Sequence, residues 1–331
     1  MSQKPSLFPT FDKRSSLLIK GIAIILMVCH HMWWYKEPND FTGIWYFLAP
    51  YIIALGKAGK VCVAIFTFIS GYGLYLSFSH NNKYSNILKK IKNILFHFWR
   101  TVIPILIIFF IIGIIPFKTI DFLLNMLCLE NSYNGAWWYL QTYLLYLIIS
   151  PIVFQSINNK LTAIILCVLS MTLFRYLAYL FLGNTMWIHY FLYYFPFFIL
   201  GAVFSKYNLL EKLSSKNKSS LSLLSYLSIV FICLAIRIKT GYSETLFILV
   251  PCFILTFIQK PIPNSALTRF LTLIGKYSMG IWLLHSFFIK QIPLQSITNN
   301  CILHFILIFG ISLFISFLIE KINTTIKCNT K

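Results

Sequence analysis

The stretch 44-IWYFLAPYIIALGK-57 decides how this chain is threaded. It is apolar enough to enter a bilayer, yet it is only about half the length a helix needs to cross ~30 Å of hydrocarbon, and Pro50 interrupts it. Read as a crossing, it inverts every later segment and puts the basic cluster Lys83, Lys89, Lys90 and Lys92 outside. Read as a short re-entrant or interfacial helix on the outer side, it leaves that cluster in the cytoplasm, as the positive-inside rule requires. We adopt the second reading.

The rest of the chain fits around it. The 331 residues are 58% apolar and 18% aromatic but only 11% charged, a membrane composition. Apolar windows place spans near 17–35, 60–78, 98–115, 136–155, 161–182, 187–204, 220–238, 244–258, 270–289 and 301–320. Most of the 28 basic residues then fall on one side, from Lys4, Lys13, Arg14 and Lys20 through Lys206, Lys212, Lys216 and Lys218 to Lys321, Lys327 and Lys331. Lys36, Lys57, Lys60, Lys118, Arg237, Lys239 and Lys290 fall on the other. The expected fold is therefore an all-α integral membrane protein, a bundle of about ten transmembrane helices with both termini cytoplasmic, residing in the cell membrane. The net charge of +20 follows from this topology, so no nucleic-acid partner is expected. No Gly/Ser linker or internal repeat divides residues 1–331, which read as one membrane domain with its core over 15–320. The first apolar run lacks a small-residue cleavage site and is expected to stay as the first span. Eight scattered cysteines without a Cys-x-x-Cys pair read as packing residues, and no metal is expected.

Ionisable groups inside spans are costly and mark functional candidates. Here they are Lys20, His30, His31, Arg175 and His285, with Glu320 at a helix end. In 20-KGIAIILMVCHHMWW-34, Lys20 and His31 are separated by three helical turns plus about 20°, on nearly one face and ~16 Å apart along the axis, whereas His30 points about 80° away from Lys20. That spacing suits a long ligand with an anionic head and a reactive tail. A coenzyme A thioester is one, with its phosphates near Lys20 and its acyl group near His31. A neutral imidazole is a natural general base for a hydroxyl. The plainer alternative is a snorkelling Lys20 and a His31 that hydrogen-bonds another helix.

Over roughly residues 15–320 the chain resembles the acyltransferase family 3 membrane proteins. Lys20 and His31 match that family's basic residue, ten intervening residues and histidine. The run 59-GKVCVAIFTFISGYGLYLSF-78 resembles its Gly-Val-x-x-Phe-Phe-x-x-Ser-Gly segment, with Ser70 and Gly71 in place. Further on, 137-WWYL-140, 195-FPFFILG-201 and 275-GKYSMGIWLLH-285 follow in the family's order. Two positions depart: Ala64 stands where an acidic residue is common, and 89-KKIK-92 replaces an Arg-x-x-Arg pair in the following cytoplasmic loop. Lysine keeps the charge but loses the bidentate phosphate fork.

The resemblance implies an O-acyltransferase, with cytoplasmic acetyl-CoA as donor and a glycan as acceptor, either a capsular or other extracellular polysaccharide or its lipid-linked repeat unit. His31 would be the base, Lys20, Lys89 and Lys92 would hold coenzyme phosphates, and His285 would line the acceptor site or hydrogen-bond between helices. Trp137, Trp138 and Tyr139 would stack on a sugar or belong to an interfacial aromatic belt. Arg175, mid-span, needs a partner or an aqueous cavity, and Ser70 reads as a nucleophile or a close-packing residue. Direct transfer and a covalent acyl-enzyme both remain open. A second class of function, a proton-coupled transporter or glycan flippase relaying through His31, Arg175 and His285, predicts substrate movement without acyl transfer. A third, a noncatalytic member of a glycan-synthesis complex, predicts loss of assembly rather than of acylation. Membrane lipid is a partner in every case.

Overall fold

The computed structural model describes residues 11–80, 84–181, 186–216, 220–258, 262–291 and 300–329. Lys4, Lys83, Lys218, Lys260 and Lys331, and with them both chain termini, lie outside the described residues. All regular structure among the described residues is helical. Among the described residues, eight helical runs are long and apolar enough to cross a membrane: Lys13–Trp33, Ile44–Ser79, Asn86–Ile111, Gly135–Ser156, Lys160–Leu180, Trp187–Lys206, Ser222–Thr240 and Cys301–Ile322. The chain is an all-α bundle of membrane-spanning helices.

Helix α1 (Lys13–Trp33) begins where Asp12 accepts hydrogen bonds from the Ser15 backbone N–H and hydroxyl, both at 2.7 Å. The stretch that opened the sequence forms α2 (Ile44–Gly59), and α3 (Val61–His80) follows directly after Lys60. The two make one 36-residue apolar run, Ile44–Ser79, so 44–57 does not turn the chain back on itself. A Cβ at Gly56 would press on the Trp34 backbone and one at Gly59 on the Leu26 carbonyl, so α2 runs back along the C-terminal half of α1.

The basic segment 89–92 is not a loop. It lies in the first turns of α4 (Tyr84–Ile111), where Lys89 and Lys92 are exposed and Lys90 donates to Ser77 Oγ at 2.9 Å. After the short α5 (Thr119–Met126) comes α6 (Trp138–Ser156). The fifth expected span is one run, α7 (Lys160–Leu169) and α8 (Arg175–Leu180), joined by a π-helical turn over Ser170–Phe174. Next come α9 (Met186–Lys206), α10 (Leu209–Lys216), α11 (Ser220–Thr240) and the short α12 (Leu246–Ile258).

The ninth expected span, 270–289, is not a continuous helix. It breaks at Tyr277 into α13 (Ala266–Lys276) and α14 (Ser278–Gln291). Helix α13 leaves Leu267, Phe270 and Leu273 exposed and crosses α1 where Gly21 and Gly275 meet. A Cβ on either would overlap the other helix's backbone, at the Leu271 and Leu17 carbonyls respectively. Helix α14, with 14 residues and ~21 Å of length, falls short of a bilayer and is almost wholly buried. Sequence windows miss this because an amphipathic helix next to a buried one averages to one apolar segment.

The last helix, α15 (Cys301–Asn329), returns beside α14, with Gly280 against Ser316 and Trp33 facing Phe305. The start of α1 and the end of α15 therefore share one end of the bundle. A second close crossing joins α3 to α9, where Gly71 faces the Phe198 carbonyl and Gly201 the Phe68 carbonyl. The Ser-Gly pair at 70–71 is thus, at Gly71, a packing contact. The cysteines whose side chains are described are all unpaired.

Candidate active site

Two helical stripes face each other. On α1, Lys20, Met27 and His31 lie within about 40° of one another. On α14, Ser278, Trp282 and His285 repeat at i, i+4 and i+7. Lys20, Met27, Ser278 and Trp282 line one cleft of about 160 Å³, with Ser70 from α3 and Tyr139 and Tyr143 from α6. One turn beyond Met27 and Trp282, the His31 and His285 rings meet at 5.0 Å between centroids. The structure thus sets Lys20 and Tyr139 along one cleft and, a turn beyond it, His31 beside His285, residues scattered over more than 260 positions of sequence.

The two histidines at the meeting point differ. His285 is fully buried, and its Nδ1 lies 2.8 Å from the Trp282 carbonyl and 3.1 Å from the Ile281 carbonyl. Carbonyls only accept, so Nδ1 carries the proton and Nε2 presents a bare lone pair. That Nε2 is buried and has no hydrogen-bond partner. His31 is half-buried, beside it, on the stripe that carries Lys20. His30 faces α2 instead, with Nδ1 2.9 Å from the Gly56 carbonyl and its ring stacked on Trp34.

A polar clamp sets the height of His285. Asn134 Oδ1 accepts from the Ala136 N–H at 3.0 Å and from the Ser286 hydroxyl at 2.7 Å, and its Nδ2 donates to the Leu283 carbonyl at 3.3 Å. Two indoles cross over the same joint: Trp137 donates to the Leu283 carbonyl and Trp282 to the Ala136 carbonyl, at 3.2 and 3.1 Å. Buried polar groups are costly unless paired, so this closed set fixes α6 against α14.

The aromatic triplet is divided among three surroundings. Trp137 is 2% exposed and packed against Phe98 and Phe287. The Trp138 ring is stacked on Tyr190 at 4.0 Å. Tyr139 enters the cleft with Lys20, its hydroxyl 3.1 Å from Thr67 Oγ1.

Arg175 lies in a separate cluster. It pairs with Glu244 at 3.0 Å, hydrogen-bonds Ser243, and its guanidinium sits 4.0 Å from the Tyr193 ring centroid. Its partner was invisible in the sequence because it is 69 residues away in a turn. Lys89 and Lys92 do not line the cleft; Ile94, on the same helix, does. The cleft residues Tyr143, Ser278 and Trp282 were missed, although the i, i+4, i+7 spacing that ends on His285 was legible.

With this geometry in hand, comparison with known families is decisive: an acyltransferase domain model of acyltransferase family 3 matches residues 16–321. The chain belongs to acyltransferase family 3. Comparison with curated proteins and with solved structures gave no match. The family 3 match covers the whole helical bundle, from α1 to within α15, and with the eight apolar helices makes the protein a multi-pass membrane acyltransferase. Both close crossings and the facing stripes of α1 and α14 lie inside the matched region. The cleft and the His31–His285 pair one turn beyond it also lie inside the matched region.

Proposed function

We propose that this acyltransferase transfers acetyl from cytoplasmic acetyl-CoA to a sugar hydroxyl of an extracellular polysaccharide or its lipid-linked repeat unit, at the cell membrane. The observation that carries the reading is the cleft along α1, with Lys20 at one end and the His31–His285 pair beyond the other. The ~16 Å from Lys20 to His31 along α1 suits an extended thioester arm. Coenzyme phosphates bind at the Lys20 end, toward which Lys89 and Lys92 add positive charge from α4.

His31 takes the proton from the acceptor hydroxyl, and the oxygen attacks the thioester carbonyl. The C–S bond breaks as the tetrahedral intermediate collapses, and the leaving thiolate recovers the proton from His31. When His31 becomes an imidazolium, the unpartnered Nε2 of the adjacent His285 ring, 5.0 Å away between centroids, is the acceptor its second N–H turns to. His285 therefore acts as a positioning residue, holding the ring and accepting from its charged form.

The test uses purified full-length protein in lipid nanodiscs with radiolabelled acetyl-CoA and an oligosaccharide acceptor. Acetyl transfer is expected to fall about 10²–10⁴-fold in His31→Ala. Glycan movement across proteoliposomes with no acetyl-CoA consumed would replace this reading with the transporter.

A further inference from the structure

Beyond the histidine pair lies a second cavity, of about 240 Å³, on the side away from Lys20. Its walls continue the same two helices: Met32 and Trp33 follow His31 on α1, and Ile289 lies one turn after His285 on α14. The Pro38–Asp40 turn and the first turn of α15 close it. Three of its polar groups have a definite order. His304, 8% exposed, lines the cavity with an Nε2 that is buried and unpartnered. Lys36 is half-buried and has no carboxylate partner among the described residues. Asp40 is exposed, and one of its oxygens is already taken by the Glu37 N–H at 2.8 Å.

The lysine and the imidazole are thus the more buried of these groups, and the carboxylate the more exposed. An orphaned buried nitrogen is costly, and a lysine in such a recess favours an anion. Tyr35 is at the same wall; burial and the nearby Asp40 carboxylate push its phenol up, so it remains a hydroxyl donor. Aromatic faces beside polar groups suit a ring with hydroxyls. We propose that this cavity is the acceptor subsite and that it selects a sugar bearing an anionic group, a carboxylate or a phosphate, held by Lys36 and His304. The anion anchors the ring so that a neighbouring hydroxyl points back to His31. The proposal rests on the acyl-transfer reading for its role, but not for the binding itself.

The experiment compares three probes on the full-length protein in nanodiscs: a uronic-acid oligosaccharide, its carboxyl-reduced neutral counterpart, and a sugar phosphate. Binding is measured by calorimetry, and acetyl transfer alongside it. The wild type is expected to bind one anionic probe about 10- to 100-fold more tightly than the neutral one, and which probe wins separates carboxylate from phosphate. Lys36→Met and His304→Phe should erase most of that preference through KM. Equal binding of neutral and anionic probes by the wild type overturns the proposal, as does a Lys36→Met variant that keeps the preference. Anion-selective binding that Lys36→Met abolishes, with no acetyl transferred to any probe, supports the subsite and sinks the acyl-transfer reading instead.

Discussion

Replacing His285 by phenylalanine should separate stability from activity. The imidazole holds two contacts through Nδ1, to the Ile281 and Trp282 carbonyls, and leaves Nε2 buried without a partner. Losing the Nδ1 hydrogen bonds costs about 0.5–1.5 kcal/mol, and deleting an orphaned acceptor recovers about 1–3 kcal/mol. A ring of similar size fills the same fully buried space. The balance runs from about 0.5 kcal/mol less stable to about 2.5 kcal/mol more stable than the wild type, so His285→Phe should unfold at or above the wild-type temperature. The chemistry moves the other way. A hydrogen bond from the His31 imidazolium to Nε2 is a charged one, and its loss is about 1.5–3 kcal/mol in the transition state, or roughly 10- to 150-fold in kcat. KM for acetyl-CoA should hold, because the contact forms only as His31 gains the proton. Thermal unfolding in nanodiscs reads the first quantity, and initial rates of acetyl transfer the second. His285→Gln, which restores an acceptor near Nε2, should recover part of the rate. A variant that loses stability and activity in proportion would make His285 a packing residue, and unchanged kcat would remove it from the site.

Other outcomes follow from the same geometry. His30→Ala loses one hydrogen bond to the Gly56 carbonyl and its stacking on Trp34, so it should lower unfolding temperature by a small step while retaining far more transfer activity than His31→Ala; the reverse order would place the wrong histidine in the cleft. Lys20→Met keeps the apolar stem and removes the charge, and should raise KM for acetyl-CoA about 10- to 100-fold with little change in kcat; the same shift with a truncated thioester lacking phosphates would refute the phosphate contact. Gly275→Val forces a side chain into the Leu17 carbonyl and should cost more than the ~1–3 kcal/mol of ordinary overpacking, seen as loss of folded protein on size-exclusion chromatography, whereas Gly310→Ala, with open space around it, should be tolerated. Asn134→Ala leaves the Ser286 hydroxyl and the Ala136 N–H without their acceptor, so it should lower unfolding temperature and kcat together.

The sequence carried the fold class and the shared helical face of Lys20 and His31 for a physical reason. Composition is averaged over the chain, and angle along one helix is fixed by 100° per residue, so both are local properties. What escaped it was non-local. The break at Tyr277 shows only when α13 is found packed across α1 through Gly21 and Gly275. Arg175 found Glu244 across 69 positions, and three consecutive aromatics at 137–139 went to three different surroundings because the chain passes there from a 3₁₀ turn into α6. The same break bears on function. If 270–289 were one straight helix, the residues ahead of Tyr277 would continue along α1. Turning at Tyr277 sends α13 across α1 and starts α14 beside Lys20, so that Ser278, Trp282 and His285 follow α1 turn for turn. The clamp at Asn134 then fixes that register from the other side. A shift of α14 by a single residue would rotate His285 by ~100° and carry its ring away from His31. The glycine crossing, the helix break and the asparagine clamp therefore act as one device, each needed to set the His285 ring beside that of His31.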